Sequence, residues 1–182
     1  MKRGLIVLGV CLVLALIRLG CGSSTVITNC ANVSGNYAIT KTVAGVSATK
    51  GGIDVTIENG ATTVLPTQSS LSMTQTGCPL IATETIPNLN NLVIPYAGEA
   101  NNSSGFWLKI NNPDALAIPL QLKILGVTYT CKFNGSINWD GRYNNNSLSG
   151  TIIYTLAKRT DETNPVCPDA CTVNMDFTGV RH

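Results

Sequence analysis

The chain has 182 residues, only 12% of them charged, and a formal net charge of +2. It carries no basic stripe, which argues against a nucleic-acid partner. Its single histidine is the last residue, His182, so histidine-dependent nucleophilic catalysis and histidine-bearing zinc sites are not expected, and no motif implies a metal or any other cofactor.

In chain order, Lys2 and Arg3 precede an apolar run over residues 5–17, broken only by Gly9 and closed by Arg18. The run is shorter than the roughly 20 apolar residues a membrane-spanning helix needs. A charged start, a short apolar centre and small residues behind it read as a secretory signal over residues 1–20. The rival is an uncleaved anchor helix. Leu19-Gly20-Cys21, followed by Gly22-Ser23-Ser24, resembles the lipobox of bacterial lipoproteins, with Arg18 where that family commonly has leucine. The resemblance implies cleavage before Cys21, acylation of Cys21 and anchoring at a membrane of the cell envelope, the outer membrane first. More than one acyl chain makes such an anchor stable. Residues 21–29 are then the lipidated cysteine and a polar tether. Ordinary signal cleavage would instead give a soluble secreted protein. Without the leader, nine basic residues face ten acidic ones, a net charge of −1.

Residues 30–182 read as one domain, large enough to bury its own core. Tyr37 and Ile39, with Lys41 in the same period-two series, mark a first strand over 36–43, and 45–52 reads as a loop. Ile53, Val55 and Ile57 alternate with polar residues up to Asn59-Gly60, a strong hairpin signal. A return strand at 61–65 stops at Pro66. Strands follow around Leu71 and Met73, over 80–86, and over 92–94, where Pro95 is expected to end the last. Residues 98–105 read as a loop, then Phe106, Leu108 and Ile110 alternate with Trp107 and Lys109, and a turn covers 111–114. Residues 118–125 and 127–133 flank Gly126 as a hairpin. A second hairpin joins 135–140 to 147–156 across 141–146. A charged loop over 158–168 leads to a last strand over 171–180.

The expectation is an all-β domain with no helix outside the signal. A single antiparallel meander of about nine or ten strands closes as a β-barrel, with a β-sandwich as the alternative. In pattern alone it looks like the small lipocalin- or avidin-like barrels found on bacterial lipoproteins. The inward faces look uniformly aliphatic. Glycines in Val33-Ser-Gly35, Phe133-Asn-Gly135, Leu148-Ser-Gly150 and Phe177-Thr-Gly179 are expected to mark bends at one rim.

An exported chain favours disulfides. With Cys11 in the leader and Cys21 acylated, Cys30, Cys78, Cys131, Cys167 and Cys171 allow two bridges and one spare thiol. Connectivity does not follow from spacing. The first expectation joins Cys30 to the Cys167/Cys171 region and Cys78 to Cys131, and a Cys167–Cys171 bridge is the rival. Five Asn-X-Ser sites, at Asn32, Asn101, Asn102, Asn134 and Asn145, would be incidental in a bacterial protein.

Of the residues that could carry function, Glu84, Glu99, Asp140 and Asp176 are the carboxylates from which a hydrolytic pair could be drawn. Each reads more simply as a solvent-facing residue. Trp139, Trp107 and Tyr143 are candidates for the wall of a ligand site at a barrel mouth. The expected function is non-enzymatic: a lipid-anchored envelope protein with a structural or interaction role, meeting the membrane through Cys21 and a protein partner through its surface. The alternative is a lipocalin-like carrier of a small apolar ligand, its cavity lined by residues such as Leu122, Tyr129 and Ile152.

Overall fold

The computed structural model describes residues 30–55, 67–89, 91–101, 103–110, 117–124 and 127–182. The leader, Cys21 and its tether, the Asn59-Gly60 hairpin and the turn at 111–114 lie outside the described residues. Within them the chain is all-β, with one 3-10 turn at Pro87–Leu89. The strands are β1 Gly35–Lys50, β2 Ile53–Val55, β3 Gln68–Gln75, β4 Pro79–Ile86, β5 Leu92–Ala100, β6 Gly105–Ile110, β7 Ala117–Ile124, β8 Val127–Asn144, β9 Ser147–Lys158 and β10 Ala170–Arg181.

Eight of them close an up-and-down barrel in the cyclic order β1-β3-β4-β5-β6-β8-β9-β10, every pairing antiparallel. β10 returns to β1 with a register running from Tyr37↔Arg181 to Thr49↔Ala170. The barrel is therefore the architecture and the sandwich is not. Its wall has eight strands rather than nine or ten. β2 and β7 pair only with the lower ends of β1 and β8, which are long enough to run past the wall and carry an extra partner each. Among the described residues the eight-strand circuit closes on itself, and the short β2 and the side strand β7 each keep one unpaired side.

Several expected boundaries move, each for a local reason. Residues 45–50 continue β1 beyond a register shift between Val43 and Gly45, and the reversal falls on Gly51 and Gly52, both at positive φ. β5 runs through Pro95, because β6 pairs with it only from Tyr96 onward, so on that side Pro95 has no described strand that needs its missing N–H. β8 extends to Asn144, and its hairpin with β9 is the two-residue turn Asn145-Asn146, both at positive φ. Asparagine tolerates that left-handed conformation, whose twist suits a tight hairpin. Of the four glycines expected at one rim, Gly35 and Gly179 lie toward the top, Gly150 sits opposite Gly141 further down the wall, and Gly135 pairs with Leu156 toward the bottom; other glycines serve close approaches. A Cβ at Gly141 would meet the Phe106 and Phe177 rings, and one at Gly98 would lie 1.8 Å from the Trp107 carbonyl oxygen. They mark where a ring or a neighbouring backbone closes on the wall.

Among the described residues five cysteines form two bridges and leave one thiol, but the expected partners are not the ones that meet. The bridges are Cys30–Cys78 and Cys131–Cys167, and Cys171 is free and buried. The reason is strand direction. Antiparallel pairing sets the start of β1 beside the end of β10, so Cys167 and Cys171, which lie near the start of β10, sit at the opposite end of the barrel from Cys30. A strand of sixteen residues separates them by roughly 50 Å. The termini are held together by the β1–β10 ladder, which needs no covalent staple.

Each bridge instead clamps one end. At the top, Cys30–Cys78 fastens the lead-in to β1 across the β3–β4 turn. There Val33 N–H donates to Gln75 Oε1 at 2.9 Å, Gln75 Nε2 donates to the Ala31 carbonyl at 3.0 Å, and Ala31 N–H donates to the Asn101 carbonyl at 3.0 Å. At the bottom, Cys131–Cys167 fastens the loop before β10 against β8, where Lys132 N–H donates to Glu162 Oε2 at 2.8 Å. Closing loops with separations of 48 and 36 residues stabilises the fold by about 4 kcal/mol each in the chain-entropy account.

Two outcomes test this description. Peptide mapping without reduction should return Cys30–Cys78 and Cys131–Cys167. Burial pushes the Cys171 thiol up to about 11, so it should resist alkylation near pH 8 until the protein is unfolded. Gly98→Ala should lower stability by about 2–3 kcal/mol in urea titration, because the added methyl drives β5 away from β6.

Candidate functional site

Inward alternation along each strand builds the core, and at mid-height that core is neither uniformly aliphatic nor wholly apolar. In β1 the series Tyr37, Ile39, Lys41 points inward as its period requires, and Lys41 is only 2% exposed. In β4, Leu80, Ala82, Glu84 and Ile86 share the inward parity, which carries Glu84 to 0% exposure. Glu84 is thus not a solvent-facing residue. The inward set of a barrel strand is fixed by the pleat, and an acidic residue of the right parity goes in with it.

The Lys41 ammonium donates to Glu84 Oε1 in a fully buried ion pair. The second carboxylate oxygen, Oε2, accepts the Tyr96 hydroxyl at 2.8 Å. Lys41 Nζ also reaches the Tyr154 hydroxyl at 3.5 Å and lies 5.2 Å from the centroid of the Trp139 ring. Trp139 meets Tyr96 and Phe177 edge-on, with centroids 5.9 Å and 4.8 Å apart. The cluster therefore draws on β1, β4, β5, β8, β9 and β10. Removing two charges from water costs several kcal/mol per ion, and mutual attraction offsets this only where the remaining polar groups are satisfied. Here the carboxylate is bonded on both oxygens, while the ammonium faces a carboxylate, a phenol and an indole face.

Burial raises the Tyr96 and Tyr154 hydroxyls well above their ordinary value of 10, and the negative charge of Glu84 adds to the rise. The Trp139 indole N–H makes no geometrically complete hydrogen bond, although its approach to Tyr96 opposes part of that tyrosine's shift. With both ions sealed in, the pair meets no substrate from solvent. The pair ties β1 to β4, two strands that are not neighbours, across the interior.

The other candidates separate. Trp139 is an interior residue, 1% exposed, whereas Trp107 is 42% exposed on the outer wall. Adjacent residues in a strand take opposite faces, and the register pairs Trp139 with Leu108 and Trp107 with Asp140. Tyr143 lies half-buried at the top rim, its hydroxyl donating to Asn146 Oδ1 at 3.2 Å. The three do not share a wall. Glu99, Asp140 and Asp176 are all exposed. Glu99 and Asp140 flank Trp107 in one lateral row, through the pairs Glu99↔Trp107 and Trp107↔Asp140. They line a surface depression of about 480 Å³ with Asn101, Lys109 and Asn138. Among the described residues no group of three or more His, Cys, Asp or Glu side chains could hold a metal ion.

No protein-family model matches the chain, and no curated protein shows significant similarity to it.

Lys41→Met should cost about 3–5 kcal/mol by leaving Glu84 charged and alone, while the double change Lys41→Met with Glu84→Leu should recover most of that loss in a thermodynamic cycle. A second outcome concerns alkaline pH. An unfolded tyrosine loses its proton near pH 10, but Tyr96 and Tyr154 keep theirs to higher pH in the fold. Above pH 10 the unfolded tyrosines bind fewer protons, so their contribution is full below that pH and falls as pH rises, adding to a loss from the Cys171 thiol, raised from 9 to about 11, that begins near pH 9. The slope should be roughly 1.4 kcal/mol per pH unit per tyrosine. Tyr154→Phe should remove one tyrosine's share of it in urea titrations at stepped pH.

Proposed function

We propose that the chain is a lipid-anchored protein of the cell envelope with a structural or interaction role and no enzymatic activity, its barrel held at the membrane surface by acylated Cys21. The observation that carries this reading is the sealed centre of the barrel. The ionisable groups most perturbed by the fold, the phenols around the buried Lys41–Glu84 pair, point inward and away from solvent. A partner meets the outer wall and the rims. Two disulfides suit an oxidising, extracytoplasmic setting. A clamp at each end makes the barrel a stiff carrier for whatever its surface presents.

The rival reading, a carrier of a small apolar ligand, needs open space around Leu122, Tyr129 and Ile152. Leu122 and Ile152 are fully buried within the core cluster, and Tyr129 packs half-buried against it, which supports the interaction reading over the carrier.

The test is an intact mass of protein extracted gently from its own membranes, measured under native conditions and again after denaturation. The expected result is a chain beginning at acylated Cys21, with two disulfides and one thiol. A mass without acyl groups would remove the anchor. An adduct present under native conditions and lost on denaturation would replace the interaction reading with the carrier.

A further inference from the structure

The depression around Trp107 has the makings of a recognition surface that the sealed core lacks. Trp107 stands on the outer face of β6, flanked by Glu99 on β5 and Asp140 on β8 in the same lateral row. Gly98 lets the β5 backbone close on the Trp107 carbonyl, which any larger residue would prevent, so this row is drawn tight. A smaller depression of about 330 Å³ adjoins it through Asn101, Gly105 and Asp140 and runs to Arg142 toward the top rim. Among the described residues, the Glu99 and Asp140 carboxylates and the Asn138 amide make no side-chain hydrogen bond or ion pair. Other apolar side chains are exposed on the wall, Ile81, Val93 and Val180 among them, but they are aliphatic; among the described residues Trp107 is the exposed aromatic, and it stands beside uncommitted acceptors and donors.

We infer that this face, with Trp107 as its platform, binds a neutral oligosaccharide. The ring offers an apolar plane on which the C–H face of a sugar can stack, and its surroundings offer what hydroxyls need. A hydroxyl both donates and accepts, so Glu99 and Asp140 can accept from it while Asn138, Lys109 and Arg142 donate to it. Lys109 Nζ lies 5.7 Å from the Trp107 centroid; a neutral ring can displace that flexible, exposed chain and accept a hydrogen bond from it, whereas a cation brought to the ring meets its like charge. Anionic glycans meet two carboxylates in the row. Glu99 to Asp140 spans two inter-strand spacings, roughly 10 Å, the reach of a short oligosaccharide rather than of a single ring. The inference does not depend on Cys21 being acylated.

The experiment uses the full mature protein in a sugar-free detergent. Cellotetraose and tetra-N-acetylchitotetraose are the neutral probes, and choline and a sulfated tetrasaccharide are the charged ones. Calorimetry reads binding, and acrylamide quenching of tryptophan emission reads its location, since Trp107 is accessible and Trp139 is not. One or both neutral probes should bind with a Kd of about 1 mM or tighter and protect the quenchable tryptophan. Trp107→Ala should weaken that binding by about tenfold or more, and Asp140→Asn by several-fold, with near-ultraviolet circular dichroism of Asp140→Asn unchanged. The inference is overturned if neither neutral probe binds saturably, if Trp107→Ala binds as tightly as the unaltered protein, or if choline or the sulfated probe binds more tightly than both neutral ones.

Discussion

The buried pair Lys41–Glu84 constrains the rest of the barrel. Two strands that are not neighbours, β1 and β4, each send a charge to the same interior point, and neither charge can leave without stranding the other. A one-residue slip of either strand would turn its whole inward set outward. With an ion pair at stake, that slip would also bury a lone charge or expose the core. The pair is thus a register lock, supported from β5 and β9 by Tyr96 and Tyr154, and from β8 by the Trp139 ring. Apolar residues of equal volume could fill the space as stably or more so. They would specify the alignment less sharply, because one aliphatic contact exchanges for another at little cost.

Around that lock the rest of the fold is built for closure. β1 and β10 meet along almost their whole lengths, so the ends of the domain form its seam. The disulfides secure the places that the ladder does not: the lead-in at the top and the long loop at the bottom. Aromatic rings over Gly141, and the close backbone approach at Gly98, mark where the wall of eight strands closes tightly on its neighbours. Among the described residues the interior holds the packed apolar cluster and the Lys41–Glu84 group, while Trp107, Glu99 and Asp140 stand together on the outer face.

Much of this was legible in local pattern. Period-two alternation located β3, β6 and β10 and placed Lys41 on the face of Tyr37 and Ile39, while turn and proline boundaries located β4 and β9. Glu84 carried the same signal, since Leu80, Ala82 and Ile86 share its parity, but Ile81 competed for the inward face and an acidic residue ordinarily marks the outward one. Pro95 was a misleading stop, because whether a missing N–H matters depends on which neighbour pairs there. The disulfide partners were illegible for a different reason. Sequence distance says nothing about which end of an antiparallel strand a cysteine reaches, and Cys30 and Cys171 are near the two termini yet at opposite ends of the barrel.

The amino-acid sequence by itself determined the all-β character, the meander of mostly short connections and the alternation within most strands, because these follow from residue chemistry and a period of two along one strand. Tertiary structure alone decided that eight strands close on themselves, which cysteines meet, that Lys41 finds Glu84, and that two tryptophans look to opposite sides of one wall. Those are relations between strands. They depend on the register and curvature through which distant segments come to share one interior, and no single segment encodes them.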